Sequence, residues 1–341
     1  MMNSPKKVLF CVLNWGLGHA TRIVPLVEAE CVKGHQVYLA SDGNAARFLR
    51  NRFPHLTHLV GLPGYNITYS ERGQDLPIHL AKQIPKICRV VKEEHAWLQQ
   101  VHEKYRFDEI ISDNRYGCYL PNVHSVFITH QLNLRAPFWL RWYLNRQLYK
   151  LAKPYNEVRI PDFVKKEFRL SGELCENKRW KNARFIGPLS RFSLVQSEGW
   201  RLSSPYLLVL SGPEPQRTIL EQKVIGFFRK KHLPLVVVAG KLEENEHRIK
   251  DGVEYFSHLN DARLKSALLQ AKLIICRSGY SSLMDLEALN KKALFIPTPG
   301  QTEQEYLAEF SVKKGFHFMK QTELELPENI ALWEKLLAIN H

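Results

Sequence analysis

Residues 6–41 read KKVLFCVLNWGLGHATRIVPLVEAECVKGHQVYLAS. The run VLFCVL is continuously apolar, the form a strand takes when both of its faces are covered. Ile23, Leu26, Val27 and Cys31 then recur at helical spacing, Gly34 supplies a stop, and HQVYLAS is a second strand. Strand, glycine-rich turn, helix and strand in this order predict a parallel sheet with right-handed crossovers. The alternation continues through the short β-branched runs DEIISD (108–113) and SVFITHQ (125–131). It begins again after FIGPLSRF (185–192), with YLLVLSG (206–212), LPLVVVAG (233–240), LIICRSG (273–279) and KALFIPTPG (292–300) as strands and helical patterns between them.

The pair Gly187-Pro188 is therefore read as a boundary. It predicts an N-terminal domain, 1–187, and a C-terminal domain, 188–341. Both are expected to be α/β, doubly wound, Rossmann-like parallel sheets facing a central cleft. The last helix is a candidate to pack back on the first domain. A chain of 341 residues suits two such domains, and 45% hydrophobic residues suffice for their cores.

Composition narrows the function classes. No run of about 18 apolar residues exists to span a membrane, and MMNSPKKVLFCVL leads into a strand without a cleavage site. Cys11, Cys31, Cys88, Cys118, Cys175 and Cys276 are scattered without metal-ligand spacing, as buried thiols in a reducing compartment would be. The expected location is the cytoplasm. Net charge is +14, and residues 1–200 carry 29 Lys and Arg against 17 Asp and Glu. That imbalance favours an anionic partner or a phosphorylated substrate, with a merely solubilising surplus as the plain alternative.

Three stretches carry candidate chemistry. In NWGLGHATR (14–22), Gly16 and Gly18 begin a dinucleotide fingerprint, and Asp42 stands where a ribose-binding acid would. The third glycine, however, is replaced by Thr21, and His19 intervenes. The stretch is a broken cofactor loop, a tight turn with a capping histidine, or a turn presenting His19 as a base that works near neutral pH. In ICRSGYSSLMDLEAL (275–289), Arg277, Ser278, Gly279, Ser281 and Ser282 form a turn into a helix, a ready site for a diphosphate, with Asp285 one turn on for ribose hydroxyls. An ordinary serine-capped helix is the alternative. In PTPGQTEQEYLAEF (297–310), Glu303, Gln304 and Glu305 suit sugar hydroxyls, although acids also favour helix starts for dipole reasons alone.

Together these stretches resemble the GT-B nucleotide-sugar glycosyltransferases. The chain is most similar to the peptidoglycan N-acetylglucosaminyltransferase group and more distantly similar to the UDP-glycosyltransferases. The resemblance implies that Gly16, Gly18 and His19 open an acceptor-binding domain. It further implies that Arg277, Ser278, Gly279, Ser281, Ser282 and Asp285 hold diphosphate and ribose, and that Glu303, Gln304 and Glu305 read the donor sugar. Asp113 corresponds to the carboxylate that orients the histidine, and THQLN (129–133) places His130 and Asn133 near the acceptor, with Gln131 replacing an acid. Where the family has a Gly-Gly-Ser turn, this chain has SGPEPQR (211–217), leaving Gly212 and Arg217 as its phosphate-side candidates. The implied reaction is inverting transfer from a nucleotide-sugar, UDP-linked by resemblance, to an acceptor hydroxyl. His19 is the base and no cofactor is expected. No Asp-x-Asp pair occurs in the chain, so no metal is expected either.

RAPFWLRWYLNRQLYKLAKPY (135–155) is cationic and aromatic, and no acid occurs from Asn114 to Asn156. It suits peripheral contact with an anionic membrane, on whose inner face a lipid-linked acceptor would be found. A core helix with a solvated basic face is the alternative. Nucleic acid is not expected, because no recognised binding module accompanies the charge. Two other functions fit the same fold: a nucleotide-sugar 2-epimerase, which needs more cleft carboxylates, and a non-catalytic nucleotide-sugar or membrane-lipid binder.

Overall fold

A computed structural model of the chain describes residues 4–66, 83–135, 138–176, 179–324, 332–333 and 335–337. The chain divides into two compact units, the first ending at Ser190 and the second starting at Arg191.

The first unit holds a parallel sheet of β1 (Lys7–Val12), β2 (Gln36–Ala40), β3 (Thr57–Leu59), β4 (Glu109–Asp113), β5 (His124–Ile128), β6 (Glu157–Ile160) and β7 (Ala183–Phe185) in the order β3-β2-β1-β4-β5-β6-β7. Its crossover helices include α1 (Gly18–Val32), α2 (Gly43–Arg52), α3 (Ile84–Tyr105) and α4 (Phe138–Ala152). Val8 to Val12 are completely buried because apolar layers cover both faces of the central strand. From β1 the chain passes by α1 to β2 on one side, while β4 lies on the other. Strand order thus reverses at β1 and β4, which opens a crevice at their carboxyl ends. Register sets Val12 beside Asp113, and Leu13 N–H donates to the Asp113 carbonyl at 3.1 Å.

The second unit repeats the plan. Its strands are β8 (Tyr206–Val209), β9 (Leu235–Val238), β10 (His247–Lys250), β11 (Val253–Phe256), β12 (Leu273–Cys276), β13 (Leu294–Phe295) and β14 (His317–Phe318), ordered β10-β11-β9-β8-β12-β13-β14. All pairs are parallel except β10 with β11. The helices are α5 (Gln216–Lys230), α6 (Asp261–Gln270), α7 (Tyr280–Ala288) and α8 (Thr302–Ser311). Here the reversal falls between β8 and β12, so the turns leading into α5 and α7 flank this unit's crevice.

Part of the expected C-terminal helix lies outside the described residues. Of those described, Trp333, Leu336 and Leu337 are buried in the second unit's own core. The Trp333 ring lies 4.9 Å from that of Phe227 and 6.0 Å from that of Phe228. Trp333→Ala should therefore cost about 3–5 kcal/mol, the usual range for emptying a buried aromatic site. Urea unfolding of the two proteins measures it as a lower midpoint.

Candidate active site

In the first unit, the turn after β1 brings His19 to the second position of α1, and β4 ends on Asp113. The two side chains meet: His19 Nδ1 lies 2.7 Å from Asp113 Oδ1. Asp113 is fully buried, whereas the His19 side chain keeps 14% of its surface exposed. Burial works against the Asp113 charge, but the cations and donors of Arg22 and His19 outweigh it and hold the carboxyl at about 2. An ionised carboxylate only accepts hydrogen bonds, so His19 Nδ1 carries the proton and Nε2 carries the lone pair. That is the tautomer a general base requires.

Arg22, one turn after His19, completes the group and was not singled out in the sequence. Its Nε donates to Asp113 Oδ2 at 2.6 Å, and its Nη2 pairs with Asp113 Oδ1. Its Nη1 lies 3.2 Å from His130 Nδ1. A guanidinium has no acceptor, so His130 Nδ1 accepts and its proton sits on Nε2. One arginine therefore fixes His130 while neutralising the carboxylate that orients His19. The available signal was the three-residue spacing, which puts His19 and Arg22 on one face of a helix. Asn133 is turned to α4: Asn145 Nδ2 donates to its Oδ1 at 2.6 Å. Gly16 has φ +79 with open space where a side chain would stand, and Gly18 begins α1.

The second unit's crevice is built differently. Gly279 is the N-cap of α7 and brings no side chain of its own to that terminus. Ser281 and Ser282 lie half-buried in its first turn, and the Ser278 hydroxyl donates to the Gln304 carbonyl at 2.7 Å. Arg277 departs from expectation. It is 1% exposed, and its terminal nitrogens donate to the carbonyls of Ile296 (3.0 Å), Pro297 (3.1 Å) and Gln216 (2.6 Å). Burial lowers its pKa to about 9, so it remains a cation at neutral pH, seated just before the α7 turn. With its terminal nitrogens committed to main chain, what it presents to that turn is its charge.

SGPEPQR also resolves into a definite arrangement. Gly212 takes φ +96, and the Glu214 carboxylate accepts from Thr218 N–H at 3.2 Å and from Arg217 Nε at 3.0 Å. A side-chain anion thus fills the N-terminus of α5 and neutralises Arg217, which was expected to supply charge to a phosphate. Asp285 stands 3.7 Å from Arg191, which also pairs with Asp261 at 3.0 Å. Gln304 Oε1 accepts from Thr298 N–H at 2.9 Å and Glu305 Oε1 from Gly300 N–H at 3.0 Å, so both brace the loop before α8. Glu303 is half-buried in the same turn.

The basic segment 135–155 includes α4, and Ala136 and Pro137 lie outside the described residues. Trp142, Arg146 and Lys150, at four-residue spacing, and Tyr143 beside them are exposed, while Leu148 and Ala152 are buried against Phe127, Tyr155 and Trp180. Among the described residues no helix is long and apolar enough to cross a membrane.

Burial, then the Arg22 charge, keeps the His19 pKa below the ordinary value of 6.5. The His19 ring protons should therefore titrate below that value by NMR. In Arg22→Met the titration should move upward, because Asp113 is then left to stabilise the imidazolium alone.

Family profiles match each half of the chain. Residues 6–130 match the family profile "Glycosyl transferase family 1", and residues 208–340 match "Glycosyltransferase family 28 C-terminal domain". An uncharacterised glycosyltransferase of Methanosarcina acetivorans is 22% identical over 325 residues, spanning 88% of this chain and 79% of its own. Among solved structures, the glycosyltransferase of kitacinnamycin superposes with a TM-score of 0.63 at 15% identity, covering 99% of this chain and 94% of its own. Acinetobacter baumannii MurG gives 0.56 at 13% identity, with 99% and 91% covered. The glycosyltransferase VinC, solved with dTDP, gives 0.57 at 15% identity, with 97% and 91% covered. The chain is a glycosyltransferase of the GT-B fold, with a family 1 profile over β1 to β5 and a family 28 C-terminal profile over most of the second unit.

Proposed function

We propose that the protein transfers a hexosyl or N-acetylhexosaminyl group from a UDP-sugar to an acceptor hydroxyl, with inversion. The observation that carries this reading is the His19–Asp113–Arg22 group at the carboxyl end of the first sheet. His19 Nε2 takes the proton as the hydroxyl oxygen attacks the anomeric carbon. The bond from that carbon to the diphosphate breaks, and its electron pair leaves on the phosphate oxygen. Because Arg22 already balances Asp113, the imidazolium that forms is poorly compensated by its own neighbours. The growing charge on the leaving diphosphate supplies the balance, which ties proton uptake to bond cleavage.

The diphosphate is assigned to the α7 turn at Ser278–Ser282. The α5 terminus is taken by the Glu214 carboxylate, whereas the α7 terminus opens on Gly279 with the Arg277 cation just before it, which favours an anion there. Asp285 is assigned to the ribose, while Glu303, the Gln304 amide nitrogen and the second Glu305 oxygen are offered to the sugar. His130, Asn133 and the open backbone at Gly16 and Gly18 are assigned to the acceptor side. The sequence lacks the Asp-x-Asp pair used to seat a metal, so these groups are taken to stabilise the leaving group without an obligatory metal. VinC, a structural neighbour, was solved with dTDP, which supports a nucleoside diphosphate donor.

The domain assignment that goes with this reading is acceptor binding by 1–187 and donor binding by 188–341. The acceptor is taken to be lipid-linked at the cytoplasmic membrane face. There the exposed Trp142, Tyr143, Arg146 and Lys150 of α4 match an anionic surface.

A thermal-shift screen against UDP-, dTDP- and GDP-sugars tests the donor site. A true donor at 100 times its Kd should add about 2.7 kcal/mol, and silence across the set refutes the assignment. His19→Ala should keep that stabilisation yet lose transfer by roughly 10²–10⁴-fold. Co-sedimentation with phosphatidylserine vesicles at low salt tests the membrane face, with binding expected to fall in Arg146→Glu/Lys150→Glu and as salt is raised.

A further inference from the structure

The first unit contains a second buried polar group that the chemistry above does not use. Arg115, just after β4, is completely buried. Its Nε donates to the Val12 carbonyl at 3.1 Å and its Nη1 to Glu94 Oε1 at 3.1 Å, while its Nη2 pairs with Asp42. Glu94 is also fully buried and accepts from Gly117 N–H at 2.8 Å and from the Tyr65 hydroxyl at 3.0 Å. From Asp42 the network reaches the surface: Asn14 Nδ2 donates to Asp42 Oδ2 at 3.2 Å, and Asn14 Oδ1 accepts from Ala45 N–H at 3.2 Å. Two glycines make room for these side chains. A Cβ at Gly64 would lie 2.6 Å from Asp42 Oδ2, and one at Gly43 would collide with Asn14 Nδ2.

Such a network is a poor way to gain stability. Removing charges from water costs about as much as their pairing returns, and apolar side chains of equal volume usually do as well. What it does fix is Asn14, the first residue of the turn from Asn14 to Gly18. That turn displays Trp15, 42% exposed, four residues before His19 at the carboxyl end of β1.

We propose that Trp15 is an acceptor-contacting platform for the apolar face of a pyranose ring, and that Asn14, Asp42 and Arg115 are the positioning residues that hold it. The proposal rests on the glycosyltransferase reading and names the acceptor class as a saccharide. An indole face attracts the C–H face of a ring, and His19 needs a hydroxyl at the ring's edge. A pyranose carries both on one rigid body. A main chain tethered at Asn14 leaves the adjoining Trp15 less freedom to lose on binding, which is the advantage the buried network would confer.

Saturation-transfer NMR with methyl β-D-glucopyranoside and methyl N-acetyl-β-D-glucosaminide as probes tests this on the full chain. In the wild type the axial ring protons of one face should receive saturable transfer. Trp15→Ala should weaken probe binding roughly tenfold, ~1.4 kcal/mol, and abolish the facial bias, whereas Trp15→Phe should keep the bias. Asn14→Ala should weaken the transfer several-fold while its melting temperature and its stabilisation by nucleotide-sugars stay near wild type, which a purely structural tether would not do. Absence of saturable transfer in the wild type, or an equal pattern in Trp15→Ala, overturns the proposal. Nucleotide-sugar stabilisation is read on the same samples, so failure there counts against the donor assignment and not against Trp15.

Discussion

The carboxylate of Asp113 is the constraint on which the first unit's chemistry turns. A parallel strand ends on it inside the protein, where an unpaired charge is prohibitively costly. The structure answers with three charge-assisted contacts, one from His19 and two from Arg22. Those contacts settle the tautomer of His19 directly and that of His130 through the remaining arm of Arg22. An Asp113 already shared with an arginine orients the imidazole more than it stabilises an imidazolium, so the His19 ring is held in place and resists protonation.

The two units solve one topological problem with different chemistry. Each sheet reverses its strand order beside a central strand, and each therefore opens a crevice at the strands' carboxyl ends. In the first, two histidines, an aspartate and an arginine fill the edge of the crevice. In the second, the field comes from main-chain amides and from a buried guanidinium whose nitrogens hold the carbonyls of three residues. Glu214 shows how a departure from the usual glycine-rich turn is accommodated. The proline-flanked turn supplies its own anion to the α5 terminus.

Much of this was legible in the sequence because parallel strands are covered on both faces. LVVV in β9 and LIIC in β12 are apolar at every position, and no partner is needed to see it. The histidine and the carboxylate that meets it were legible for another reason: each ends or begins an element, where the turn residues announce themselves. The partners that lock them were not legible. Arg22 reaches an acid 91 residues away, and Arg115 joins Glu94, Asp42 and Val12 across separations of 21 to 103 residues. Arg277 shows the opposite failure. Sequence pattern puts it at the end of a strand before a helix, but whether its guanidinium faced the crevice or the interior depended on where the carbonyls of Ile296, Pro297 and Gln216 lay.

By itself, then, the sequence determined the two doubly wound sheets, the helix-opening turns at Gly18 and Gly279, and the residue types placed on them. Local pattern sufficed, because apolar periodicity and turn chemistry act over a few residues. Only the tertiary structure decided which charges neutralise one another, which histidine nitrogen carries its proton, and which helix terminus is already occupied. Those outcomes depend on distances of about 3 Å between groups far apart in the chain, and pairing strength at that range is a property of the folded arrangement alone.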